Sequence, residues 1–233
     1  MVKALVPESL NDITIAQMQR YETLTKNLED TEDARKIMLN IFCGIDTQQY
    51  DRINANQLLE ISQRIDRILG TDAKHELFFV MDDVRYGFIP NLDEITMGEF
   101  VDIENIGSEM QNWHKLMAVL YRPVTKTFGK RYLIEDYAGI DNAEKYKQMP
   151  LGVALGAMVF FWNLGKDLLS DTLKYLMEVE TEHLPNTLLQ ENGIGLEQYT
   201  DSLKETLDEL TKSQPYLYTH AYIGSAMKQT YEN

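Results

Sequence analysis

The run MPLGVALGAMVFFWNLG, Met149 to Gly165, carries no charged residue. A chain containing such a run must hide it in a bilayer or in a protein core. A spanning helix needs about 20 predominantly apolar residues. This run is shorter, is interrupted by Pro150, Asn163 and three glycines, and is closed by Lys166-Asp167. The reading is a fully buried helix of a soluble protein, with Gly152-x-x-x-Gly156 as the small-residue face that admits a close neighbour. The rest of the chain has to supply the surfaces that bury it.

Those surfaces are announced by one phrase written twice. LNDITIAQMQRYETL (10–24) and NLDEITMGEFVDIENI (91–106) each place a threonine three residues before Gln or Glu, at Thr14/Gln17 and Thr96/Glu99. This is the capping box: the Thr oxygen accepts from the N3 amide, and the longer side chain returns to the cap residue's own N–H. Each phrase also offers a hydrophobic staple, Ile13 with Met18 and Ile95 with Phe100. An acidic patch and an apolar helix follow both, and Lys36–Phe42 aligns with Lys115–Tyr121 without a gap. Leu58, Ile61, Ile65 and Ile68 then fall at helical spacing in the first half.

The expected fold is mostly α: a duplicated helical unit, a short β-hairpin between the copies, and a C-terminal helical extension. The segments are 1–74 for the first repeat, 75–90 for the hairpin, 91–184 for the second repeat, and 185–233 for the C-terminal helix and tail. In HELFFVMDDVRYGFIP two β-prone runs flank Asp82-Asp83, which reads as the hairpin. KRYLIEDYAGI (130–140) offers a further short strand; because two strands alone are marginal in water, they should pack on helices or pair with a neighbouring chain. SDTLKYLMEVETEHL reads as a helix stopping before Pro185. In GLEQYTDSLKETLDELTKSQ, Leu196, Tyr199, Leu203, Leu207 and Leu210 form one stripe. The tail brings Tyr216, Tyr218 and Tyr222 close together. Tyrosines of this kind suit either an interface or a segment folded back on the core.

Composition removes several classes of function. With 44% hydrophobic and 25% charged residues the chain is not disordered throughout. A net charge of −15 repels phosphate backbones, and the densest basic group, Lys126, Lys130 and Arg131, is too small for a groove-sized footprint. Direct nucleic-acid binding is therefore not expected, nor is a membrane. The single cysteine, Cys43, sits in apolar IMLNIFCGI and reads as a buried thiol of a reducing compartment. The N-terminal sequence has no secretory signal pattern, which suits a cytoplasm. No phosphate loop is present, and His75, His114, His183 and His220 are too scattered for a metal motif. His114 reads as a packing or capping residue. Asp30, Glu32 and Asp33, and the pair Asp82-Asp83, lack the alternating ligands of a calcium loop and read as solvated acids.

LNDITIAQMQRY and NLDEITMGEFVDIENI, with HKLMAVLYRP after the second, resemble small acidic helical virion or assembly proteins of the crAss-like tailed bacteriophages. The resemblance covers about residues 10 to 165 and rests on cap-and-helix patterns. It implies a non-enzymatic protein without cofactor, metal or catalytic residues. Such a protein would be present in several copies in a symmetric assembly at the portal vertex or head–tail region. Its partners would be portal, capsid or tail proteins of the same phage, and its location the virion, with the host cytoplasm during assembly. A tail-assembly chaperone absent from the mature particle is the alternative, and an enzyme or binder with a dispersed site is a third.

Overall fold

The computed structural model describes residues 5–28, 30–107, 109–181 and 196–212. They are mostly helical and form two compact units, one ending at Ala157 and the other beginning at Met158. In the first unit α1 (Ile15–Thr25), α2 (Thr31–Cys43), the one-turn α3 (Thr47–Tyr50) and α4 (Ala55–Leu69) come first. The strands β1 (Phe78–Met81) and β2 (Val84–Phe88) follow, then α5 (Met97–Ile106), α6 (Trp113–Leu120), and the strands β3 (Tyr121–Phe128) and β4 (Arg131–Ile134). The four strands form an antiparallel sheet in the order β1-β2-β3-β4.

The hairpin expected between the two entrances is β1–β2, turning through Asp82 and Asp83, whose φ angles are 50° and 60°. Two positive φ values in a two-residue loop match the twist of the flanking strands, and Asp tolerates them better than most residues. The strand expected within 130–140 is β4. The strand β3 was not anticipated, although its sequence is legible in retrospect. Helix α6 stops at Leu120 because Pro123 lacks an amide, and Val124, Thr125, Thr127 and Phe128 all favour extended backbone. The two aligned helices therefore continue differently: α2 leads to further helices, α6 to strands.

One face of the sheet is an aromatic layer. Phe79, Tyr86, Phe88 and Tyr121 are buried, with ring centroids 5.1 Å apart for Phe79–Tyr86, 5.4 Å for Phe79–Tyr121 and 5.2 Å for Phe88–Tyr121. Their hydroxyls are not wasted. Tyr121 Oη donates to the Glu76 carbonyl at 2.7 Å, and Tyr146 Oη donates to the Tyr121 carbonyl at 2.6 Å. The core continues through Met38, Leu39 and Ile45, through Ile65 and Leu69 of α4, and through Met117, Val119 and Leu120 of α6.

Helix α7 (Leu151–Thr181) begins in this core. Its start is joined to the start of α1 by reciprocal hydrogen bonds. The Leu151 amide donates to the Ile13 carbonyl at 2.7 Å, and the Ile15 amide donates to the Met149 carbonyl at 3.1 Å. Leu151 to Ala157 are all buried. The small residues of this segment face other chain at very short range. A Cβ on Gly156 would overlap the Lys74 carbonyl, with Lys74 C at 2.7 Å and His75 N at 3.1 Å. A Cβ on Gly152 would overlap the Asn11 side-chain oxygen and lie 3.1 Å from Leu10 Cβ.

The continuous burial of α7 stops at Ala157. The expectation of a helix buried along the whole of 149–165 is corrected here: Leu164 is 44% exposed, because the surrounding elements enclose only the first two turns. The helix is also continuous, where the sequence suggested two. Neither Asn163 nor Gly165 breaks it, since neither removes a backbone donor. By length and composition Leu151–Met177 could cross a bilayer. Its first turns, however, are packed in protein, and Lys166, Asp167, Asp171 and Lys174 interrupt the remainder.

In the second unit Leu173 of α7 is buried, while Leu168, Tyr175 and Met177 are exposed. Helix α8 (Leu196–Lys212) buries Thr200 and half-buries Leu203 and Leu207 of the expected stripe. The side chains of Leu196, Tyr199 and Leu210 lie outside the described set.

The two glycines separate helix propensity from packing. In an exposed helix, Gly→Ala gains about 1 kcal/mol. Gly156→Ala is expected instead to destabilise by about 1–3 kcal/mol, because the obstacle is backbone that cannot step aside. Gly152→Ala should cost less, since the Asn11 side chain can rotate away. Urea unfolding of both variants measures this; a stabilised Gly156→Ala would contradict the contact.

Candidate interaction surface

Both helix entrances form the reciprocal cap. At the first, the Gln17 amide donates to Thr14 Oγ1 at 3.2 Å and the Thr14 amide donates to Gln17 Oε1 at 2.9 Å. Gln17 Nε2 also donates to the Ile41 carbonyl at 2.9 Å, tying α1 to α2. At the second, the Glu99 amide donates to Thr96 Oγ1 at 3.3 Å and the Thr96 amide donates to Glu99 Oε2 at 2.7 Å. Ile13 and Met18, the first staple pair, are both buried.

The second entrance differs in what its acid does next. Glu99 is only 3% exposed, and its other oxygen, Oε1, lies 2.5 Å from Arg122 Nη1 on β3. Burial pushes the Glu99 carboxyl up, but the Thr96 hydroxyl and amide and the Arg122 guanidinium outweigh it, so it titrates below the usual carboxylate range. The Arg122 guanidinium lies 5.5 Å from the centre of the Tyr137 ring. Tyr137 rests on Gly98 and donates its hydroxyl to Asp102. Burial, then that hydrogen bond and the charges of Asp102 and Glu99, raise the Tyr137 phenol.

A helix that turns its acid inward turns something else outward. Met97 is 76% exposed, Phe100 55% and Val101 41%. Positions i, i+3 and i+4 share one helix face, so these three form a single apolar patch. Of the second staple pair, Ile95 is half-buried and Phe100 largely exposed. With Glu99 turned toward Arg122, the helix period leaves Phe100 toward solvent. Glu104, three residues after Val101, is exposed on the same face, and Asp93 and Glu94 are exposed in the turn that precedes α5.

Other singled-out residues have plain structural roles. His114 is buried, with Nδ1 3.1 Å from Gln19 Nε2, while Gln19 Nε2 also donates to the Met110 carbonyl at 2.9 Å. Burial, assisted by Lys147, lowers the imidazole pKa, so the ring is neutral at pH 7. Asp30 caps α2 by accepting from the Glu32 amide at 2.7 Å. Glu32 pairs with Arg35 at 2.8 Å and accepts from the Tyr50 hydroxyl. Cys43 is buried and its thiol is pushed up to about 11, chiefly by desolvation. A cleft of about 190 Å³ beside Tyr50, Lys36 and Asn40 is smaller than the ~300 Å³ lower bound usual for ligand pockets. Tyr216, Tyr218 and Tyr222 lie outside the described residues.

Sequence reasoning found Thr96 and Glu99 but missed Arg122 and Tyr137, which decide where α5 points. No local signal pairs Glu99 with Arg122; the only hint was a basic residue opening a β-prone run in an acidic chain.

Removing one member of a buried pair leaves the other charged and unpartnered. Glu99→Ala is expected to lower stability by about 3 kcal/mol, shifting the urea midpoint at constant slope. Glu99→Ala with Arg122→Met should regain part of that loss. Because the folded-state pKa of Glu99 is depressed, its contribution is complete above the unfolded value of about 4.3 and is lost as pH falls through the folded value. The pH dependence of stability should therefore flatten at the acid end in Glu99→Gln.

Set against family models, curated proteins and solved structures, the chain matches none of them.

Proposed function

We propose that the protein is a non-enzymatic structural component of a tailed-phage virion, acting through protein–protein interfaces in several copies near the portal vertex or head–tail region. The observation that carries the interface part is the inverted helix α5. It holds Glu99 at 3% exposure while presenting Phe100 at 55% and Met97 at 76%. A soluble chain gains nothing from that arrangement alone, whereas a partner that covers the patch gains apolar contact on a rigid, capped element. The phage setting rests on the sequence resemblance of the two entrances. Portal, capsid or tail proteins of the same phage are the proposed partners. The net charge of −15 supports a chain that stays dissolved before assembly and off a packaged genome.

The paired entrances are, in the same reading, a duplicated unit that has diverged after α2 and α6, where the second copy carries β3 and β4. The C-terminal segment, with α8 and the tyrosine-rich tail, is its extension.

Quantitative mass spectrometry of gradient-purified particles beside infected-cell lysate tests the role. The expected result is the protein in particles at constant copy number. Abundance in lysate with absence from particles would replace this reading with that of an assembly chaperone.

A further inference from the structure

The acid-rimmed patch on α5 has its chemical complement elsewhere on the same unit. Strand β3 pairs with β2 only as far as Tyr86↔Pro123. Beyond that point β3 pairs with β4 alone, through Lys126↔Leu133, Thr127↔Tyr132 and Phe128↔Arg131, after a register shift between Val124 and Lys126. The two strands thus form a hairpin arm. One pair from its turn it is held by Tyr132, which is buried, donates its hydroxyl to the Phe88 carbonyl at 2.8 Å, and packs 4.5 Å from the Phe78 ring.

Residues directly opposite in an antiparallel pair share a face, and so do residues two apart along a strand. Lys126, Phe128, Arg131 and Leu133 therefore all lie on one face of the arm, opposite to Tyr132. All four are exposed, Phe128 at 60% and Leu133 at 51%. Lys130 at the turn is exposed as well. The arm offers two apolar side chains among three bases. The α5 face offers Met97, Phe100 and Val101 with Glu104, and the turn ahead of it exposes Asp93 and Glu94. Among the described residues both surfaces are exposed.

We propose that the arm of one copy docks on the α5 face of the next, joining copies of this chain head to tail. Charge complementarity selects the occupant. Two α5 faces would bring acid against acid, and two arms base against base, whereas arm on face opposes bases to acids. Both surfaces are fixed on one rigid frame, because Glu99 of α5 is paired with Arg122 at the start of β3. A fixed offset between two different surfaces, repeated from copy to copy, closes a ring or extends a filament. The inference rests on reading the chain as an interface protein, but not on the phage setting.

The test is analytical ultracentrifugation of the full chain at low ionic strength, with variants at exposed positions. The wild type should form species larger than dimers, and added salt should weaken them. Phe128→Ser with Arg131→Glu should weaken association at least about tenfold, and so should Met97→Ser with Phe100→Ser. An equimolar mixture of these two variants should form dimers and stop there, since each keeps one working surface. Arg131→Glu alone should be rescued by Glu104→Lys, which also guards against a variant that simply misfolds. A monomeric wild type, association untouched by the arm variant, or a mixture that stays monomeric would each overturn the head-to-tail contact. A monomer that still occurs in phage particles would sink this contact and leave the virion role standing. A head-to-tail oligomer absent from particles would do the reverse.

Discussion

The first unit depends on two helix beginnings that complete each other. The opening amides of a helix have no partner within it. Thr14 can cap α1 with its hydroxyl, but Pro150, ahead of α7, has neither a capping oxygen nor an N–H. The chain solves this by exchange: Ile15 donates to the carbonyl before α7, and Leu151 donates to the carbonyl before α1. That exchange fixes where the uncharged helix enters the core. It also sets Gly152 against Leu10 and Asn11 and Gly156 against Lys74. Much of the surrounding apolar burial follows from holding α7 in that place.

The pair formed by Glu99 and Arg122 plays a different part. Exchanging a buried ion pair for apolar residues of like volume is often neutral or favourable, so its presence is a poor argument about stability alone. Here it selects a rotation. With Glu99 held at Arg122, the helix period leaves Met97, Phe100 and Val101 on the exposed side of α5. The pair fixes an orientation that apolar burial alone would not choose.

What could be read in the sequence was what neighbours in sequence decide. The capping boxes at Thr14 and Thr96, the α4 stripe of Leu58, Ile65 and Ile68, the Asp82-Asp83 turn and the burial of Cys43 all follow from local chemistry. The missed features come from longer range. The rotation of α5 is set by an arginine on β3. The end of continuous burial in α7, at Ala157, is set by which elements pack around its first turns. The strand β3 was overlooked because the apolar run of α6 continues without punctuation into Tyr121, and the helical period hid the change to extended backbone. The candidate surface was thus half legible: its cap could be read, its direction could not.

The chain has only two tryptophans, and they fall in different units. Trp113 opens α6 at 4% exposure, and Trp162 of α7 is half-buried with Lys166 Nζ 4.6 Å from its ring centre. An indole sealed in a core and one beside water and an ammonium group emit differently and meet soluble quenchers at different rates. The molecule therefore carries its own pair of optical reporters. Replacing Trp162 with Phe leaves a signal from the first unit alone, so the melting of each unit can be followed without attaching a label.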